Sequence, residues 1–371
     1  MNDILMTIIA FGALIGGIDK LLNNKFHLGE KFDEALNAMG SLALSMAGII
    51  CLAPLLADVL SKFISPLMNK AGFDPAILGS TLAIDMGGYQ LSTSLAQSNE
   101  LGKFFGIICS AMLGCTLIFT LPVGMSLLQK EDRPYFLKGI MYGFVALPFA
   151  LLIGGLLQGL DIKQLIWNLL PIVLISLLLL IGLVKKPNLV VKIFSYLANF
   201  IKILSIIGLS LGAFQYISAI TLIGNLTPLM DAMATVASIA IVMIGSMPLA
   251  ELLRRAMAKP FNYFCAKTNL NDATTTGVIL GLITVMPSLM MVKDMNKKGK
   301  IFNAAFLVCG ASVIGAHMGF ATAVEKDLVI PLIVSKFVGA ILAVILMLLF
   351  EKNLGEDKYE GKWIIKRIGC W

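Results

Sequence analysis

Apolar runs of membrane-spanning length alternate with short polar turns along nearly the whole chain. They fall at residues 4–22, 38–61, 76–97, 104–128, 138–158, 165–184, 200–222, 230–253, 273–292, 301–323 and 328–350, and a polar, lysine-rich tail occupies 351–371. A hydrocarbon core of about 30 Å needs about 20 helical residues at ~1.5 Å each, so every one of these segments is long enough to cross. Two are interrupted in the middle: 76–97 by Asp85-Met86-Gly87-Gly88, and 273–292 by Thr284-Val285-Met286-Pro287-Ser288. Each half reaches only about the middle of the bilayer, which predicts two re-entrant hairpins rather than two crossings.

Basic residues favour the same reading. Of the 29 lysines and arginines, Lys336 lies inside the last segment; if all segments crossed, the other 28 would divide evenly between the faces. With two hairpins, one face keeps only Lys62, Lys70, Lys103, Lys163 and Lys326. That is the bias expected of a cytoplasmic face opposed to an outer one. The N-terminus is then outside and the tail inside, with the N-terminal run retained as the first of nine spans. A faint internal repeat accompanies this: Pro54 and Pro66 recur as Pro248 and Pro260, 194 residues on, and Gly102-Lys103-Phe104-Phe105 resembles Gly299-Lys300-Ile301-Phe302. The expected fold is therefore an all-α polytopic membrane protein of two inverted repeats. Repeat 1 covers 1–158 (hairpin 76–97), a connector helix and loop 159–199, and repeat 2 covers 200–350 (hairpin 273–292), before the cytoplasmic tail 351–371.

Composition agrees. Hydrophobic residues make up 58% of the 371 and charged ones only 14%, with a mean hydropathy of +0.89, far from the roughly 25% charge of soluble domains. The net charge of +7 sits in inter-span loops, which excludes nucleic acid and leaves the lipid bilayer as the surrounding partner. The six cysteines form no CxxC pair and read as small buried hydrophobes, so neither a metal nor a cofactor is expected.

Asp85 is the one acid placed near mid-membrane. An ionised carboxylate there is costly without a cation and marks a functional site, and Gly87 and Gly88 free backbone groups beside it. Lys336 is read as snorkelling or pairing within the bundle, so the cation is assigned to the solute or a coupling ion. Glu251 is expected to pair with Arg254 and Arg255. Of the two histidines, His27 falls in a loop, whereas His317 lies in a span between Gly315 and Gly319 and can donate a hydrogen bond, carry a proton or cap a helix. Ser288 and Asn303 join Thr116, Thr120, Gln90 and Ser92 as polar residues in tips or spans, most of them hydrogen-bonding glue between helices. Gly208-Leu209-Ser210-Leu211-Gly212 matches a nucleophile-elbow pattern but lacks the strand–turn–helix context, and reads as a packing seam.

Phe32-Asp33-Glu34-Ala35, Ala38-Met39-Gly40, Ala53-Pro54-Leu55-Leu56-Ala57, Asp85-Met86-Gly87-Gly88, His317-Met318-Gly319-Phe320-Ala321 and the Met295–Lys300 loop resemble, in order and spacing, the ethanolamine-utilisation permease family, the EutH-type membrane proteins. The likeness runs over about residues 3–350. It implies a bacterial inner-membrane protein that imports ethanolamine, which is then metabolised by an ammonia-lyase in a protein-shelled microcompartment. It also implies substrate contacts: Asp85 with the ammonium, flanked by Gly87 and Gly88, and Ser288, Asn303 or His317 with the hydroxyl. Two departures are Ala316, where the family carries an acid before the histidine, and shorter loops.

The expected activity is transport, not catalysis: ethanolamine import by facilitated diffusion or alternating access at a midplane site. Alternatives are a cation-coupled transporter of another small amine or amino-acid-like solute, an intramembrane hydrolase using Ser210 and His317, and a membrane sensor or scaffold. Hairpin-based transporters often dimerise, which leaves a homodimer open.

Overall fold

A computed structural model of the protein describes residues 2–82 and 88–351, with their side chains apart from those of residues 2, 3, 5, 82 and 257–266. Asp85 and Gly87 therefore lie outside the described residues. All described secondary structure is helical. Seven stretches are long and apolar enough to cross a membrane: Gly29–Phe63, Asn99–Leu127, Arg133–Gln158, Ile162–Lys185, Pro187–Ser218, Leu229–Ala256 and Lys326–Phe350.

The first helix, α1 (Asn2–Leu21), turns into α2 (Gly29–Leu42) through a loop organised by Asp19. Its buried carboxylate accepts hydrogen bonds from the amides of Phe26, Leu28 and Gly29 at 2.8, 2.7 and 2.9 Å. One π-type turn joins α2 to α3 (Gly48–Phe63), and the short α4 (Ser65–Lys70) carries Pro66 in its first turn, where proline's missing N–H costs nothing. After α5 (Ile77–Leu82) and α6 (Gly88–Leu95), a long span runs from α7 (Asn99–Lys103) through π-type winding over Phe104–Thr120 into α8 (Leu121–Leu127). This is the centre of the molecule, with 94% of its apolar window inside the protein. Around it stand α9 (Arg133–Gln158), α10 (Ile162–Lys185), α11 (Pro187–Ser218) and α12 (Leu229–Lys267). Then follow α13 (Asp272–Ile283), α14 (Val285–Met290), α15 (Lys297–Gly310), α16 (Ala316–Val324) and α17 (Val329–Phe350).

Helices touch where side chains are smallest. A Cβ on Gly48 of α3 would lie 1.7 Å from the Ser205 carbonyl oxygen of α11, and one on Gly208 would lie 2.1 Å from the Gly48 carbonyl oxygen. The same holds between α1 and α12, where a Cβ on Gly12 would meet the Gly245 carbonyl oxygen at 2.3 Å. Lipid tails supply no hydrophobic drive for helix pairing, so close backbone approach and dispersion hold such seams. Gly208 is thus a packing residue. Ser210 lies on the exposed face of α11 while His317 is buried on α16, so that pair gives a hydrolase no support.

Several segments differ from the pattern-based expectation. The segment expected at 200–222 begins at Pro187 and ends at Ser218, because an amphipathic stretch carrying exposed Lys192 and Lys202 continues the helix beyond its apolar part. The segment expected at 301–323 is broken into α15 and α16 around residues 311–315. The expected break at Thr284–Ser288 contracts to Thr284, which is extended at φ −158° and ψ 147°. Pro287 and Ser288 sit in α14, where proline is tolerated in a first turn. Gly88, expected in a break, starts α6 and is buried. Lys336 does not snorkel: it is fully buried and its Nζ donates to the Ala111 carbonyl at 2.8 Å.

Candidate functional site: two tied loops and a crossing of broken helices

Two loops of the chain are closed at their bases. Asp74 precedes α5, and its carboxylate accepts from the amides of Ala76, Gln97 and Ser98 at 2.9, 3.1 and 3.3 Å. One side chain thereby joins the start of the 74–98 segment to its end. Burial pushes this carboxyl up from its ordinary value, and the three amides pull it back. Asn168 of α10 accepts from the Asp74 amide at 2.7 Å, and Phe73 stacks on Trp167. Within the segment, the Ser92 hydroxyl donates to the Ala76 carbonyl at 2.9 Å, and Gly79 lets α5 and α6 meet, since a Cβ there would lie 2.5 Å from the Ser92 amide nitrogen.

The second loop repeats the arrangement with amides in place of the acid. Asn271 donates to the Asp294 carbonyl and Asn296 to the Asn269 carbonyl, both at 2.8 Å. Asn271 also caps α13, as Asn296 caps α15 through the Gly299 amide and Ser98 caps α7 through the Leu101 amide. Asp74 and Asn271 stand 197 residues apart, the spacing of Gly102 and Gly299. Neither Asp74 nor Asn271 figures among the residues singled out by sequence, because both lie just outside the apolar segments whose ends they join. A polar side chain one to three residues before each interrupted segment is the signal that was there to be used.

At the heart of the second half, the broken backbone of 311–315 crosses the end of α13. The amides of Ser312 and Ile314 donate to the carbonyls of Gly281 and Leu282 at 2.7 and 2.9 Å. A helix end leaves its last carbonyls without intrahelical partners, and here an unwound segment of another helix satisfies them. The approach is close: a Cβ on Gly315 would lie 2.0 Å from the Ile283 carbonyl oxygen. Irregular backbone at membrane depth is tolerated only where protein covers it or water reaches it. Two helix C-terminal ends, of α13 and α15, and the N-terminal end of α16 converge here, so partial negative and positive charge face one small region.

Three of the expected site residues border this crossing. Ser288 donates to Asn303 Oδ1 at 3.0 Å, both fully buried, and Gly281 packs against the Ser288 hydroxyl. Asn303 Nδ2 has no partner among the described residues. His317, 1% exposed, lies in the first turn of α16, its amide donating to the Ser312 carbonyl at 3.3 Å. The first loop reaches the same helix: Gly88 is followed by Tyr89, whose ring meets Phe320 of α16 edge-on at 5.8 Å. The Tyr89 hydroxyl donates to Glu325 at 3.0 Å, and Lys103 pairs with the same carboxylate oxygen at 2.9 Å. Thr116 and Ser92 bond backbone carbonyls and serve as helix glue. Glu251 pairs with Arg254 and Arg255, and His27 is exposed beside Glu30.

The family model described as "Ethanolamine utilisation protein, EutH" matches residues 1–350. The chain is 38% identical over 345 residues to a Listeria monocytogenes protein named probable ethanolamine permease EutH, covering 93% of this chain and 92% of that one. It is 31% identical to a Salmonella typhimurium protein of the same name, over 95% and 96% of the two chains. It is also 35% identical to YxeR of Bacillus subtilis, described as uncharacterised, over 92% and 93%. No solved structure matches. A multi-pass helical membrane protein with this match along nearly its whole length is a member of the EutH family.

Proposed function

We propose that this protein is a transporter of the bacterial inner membrane that imports ethanolamine, by facilitated diffusion or alternating access, through a site where two returning hairpins approach the bilayer midplane. The permease names of its relatives support the substrate, and the tied hairpin bases support the architecture. Five further contacts favour the same topology. Lys103–Glu325 and Asn225–Asp58 would both lie at the outer face, and Lys300–Asp132, Lys138–Glu351 and Arg255 with the Phe26 carbonyl at the inner face. Each would join opposite faces if all eleven apolar segments crossed. With nine crossings, α1 and the broken pair α15–α16 add to the seven long helices. An odd number of crossings then separates the two hairpins, so they enter from opposite sides, as inverted repeats do.

The observation that carries the functional reading is the crossing of 311–315 over α13, with Ser288, Asn303 and His317 around it. Ethanolamine is an ammonium cation bearing one hydroxyl. We assign the ammonium to Asp85, with Gly87 and Gly88 giving it room, and the hydroxyl to Ser288, Asn303 or His317. The unpartnered Asn303 Nδ2 is a donor aimed at some acceptor, which a substrate hydroxyl oxygen provides. Purified protein in liposomes should exchange labelled ethanolamine against an internal unlabelled pool well above empty liposomes. Excess unlabelled ethanolamine should suppress the exchange more than choline, propanolamine or amino acids do. Stronger suppression by one of those competitors would transfer the assignment to that solute, and no exchange would remove it.

A further inference from the structure

The bundle holds a second buried charge that the proposed site does not use. Lys336 lies eight residues into α17, with none of its surface exposed, and its ammonium donates to the Ala111 carbonyl in the π-wound central span. Its neighbours are tightly packed. A Cβ on Gly339, one turn further along α17, would lie 2.6 Å from the Ala150 side chain of α9 and 2.8 Å from Cys309 Sγ of α15. The side chain is enclosed by protein and does not extend to a membrane surface. π-type winding is uncommon and recurs at functional positions, and here it supplies the carbonyl that receives the lysine.

An ammonium in such a place costs stability, and within a membrane span an ionisable residue marks an ion or proton pathway unless shown otherwise. Lysine differs from arginine in one relevant respect: in a dry site it can release its proton. The cargo of the reading above is itself an ammonium ion entering the same bundle, and two like charges in a medium of low polarity oppose one another.

We propose that Lys336 is the proton carrier of this transporter, so that one protonated amine enters for each proton that leaves. When the cargo cation binds from outside, Lys336–NH3+ gives its proton to the outer solution and becomes the neutral amine. When the cargo departs inside, the amine takes a proton from the inner solution. One positive charge moves in and one out, and no other reactant is needed. Among the described residues, Cys309 of α15 is the titratable group that faces Lys336. The titratable residues of α9 (Arg133, Tyr135, Lys138 and Tyr142) all lie in its first ten residues, at the far end from Ala150, and Lys326 and Asp327 stand at the outer start of α17. His317, buried in the first turn of α16, is of the residue type that exchanges protons near neutrality, and the proposal assigns it the relay.

This inference rests on the ethanolamine reading, and the test separates the two. In liposomes, equal-concentration exchange of labelled for unlabelled ethanolamine needs no net proton movement. Net uptake from zero should rise when the interior is made acidic, toward a limit of about tenfold accumulation per pH unit for one-for-one exchange, after subtraction of empty liposomes. The expected result is that wild-type protein shows both, whereas Lys336→Met keeps exchange and loses the response to the pH gradient. Lys336→Arg, which keeps its charge beside the cargo cation, should lose exchange and the response to the gradient together; where the methionine variant does not fold, a folded Lys336→Arg that exchanges and responds like wild type overturns the proton role. Wild-type exchange without any response to the gradient overturns the proton role and leaves the ethanolamine reading standing, as does a folded Lys336→Met that responds like wild type. Absence of exchange in the wild type overturns both.

Discussion

Asp85→Asn is expected to abolish uptake of labelled ethanolamine while the protein still reaches the membrane in normal amount. The substitution keeps the shape and removes only the charge. In water a carboxylate–ammonium pair is worth little, but within a bilayer each ion has lost its solvent. Removing one member of a buried, hydrogen-bonded charge pair costs about 2–5 kcal/mol, which corresponds to about 30-fold or more in binding. Ethanolamine has too few other polar atoms to recover that loss. Uptake by Asp85→Asn within a few-fold of wild type would remove this carboxylate from the mechanism, and the cation would have to be held by backbone carbonyls alone.

The second large effect is expected at Gly315. Here the unwound 311–315 segment lies against α13, with a hypothetical Cβ 2.0 Å from the Ile283 carbonyl oxygen. Both sides of that contact are backbone, and the hydrogen bonds from Ser312 to Gly281 and from Ile314 to Leu282 hold them together. Gly315→Ala must push the two segments apart and weaken both bonds. Each buried polar group left unsatisfied costs about 1–3 kcal/mol, and a shift of an ångström at the crossing also displaces Ser288 and His317. Uptake should fall at least tenfold, with a lower unfolding temperature in detergent. Gly40→Ala on α2 is the control, because a Cβ there meets nothing within 4 Å. Normal uptake by Gly315→Ala would mean that the crossing is not part of the transport site.

Much of this architecture could be read from the chain because a bilayer is an exacting solvent. Apolar length located the seven long helices, and the lysines flanking residues 76–97 (Lys62, Lys70 and Lys103) are the sequence's argument for a turn back, which awaits a direct test. In the structure Asp74 and Asn271 join the start of each of the two segments to its end. The pairing of Ser288 with Asn303 was not legible, although each was a candidate alone, because fifteen residues of separation carry no register between two different helices. Nor was the break at 311–315. The sequence Gly310-Ala311-Ser312-Val313-Ile314-Gly315 contains no proline, and the helix opens there because α13 offers carbonyls that need donors. Lys336 illustrates the same limit from the other side: a lysine eight residues into an apolar run can snorkel or be enclosed, and only the packing of α9, α15 and the π-wound span decides.

The claim on which the site depends is that residues 74–98 return to the face they leave. In a cysteine-free background, Lys70→Cys and Glu100→Cys introduced singly should both react with a membrane-impermeant maleimide added to intact cells. Reaction of one from outside and of the other only after the membrane is opened would place them on opposite sides. That result would make the segment a crossing helix and contradict the site.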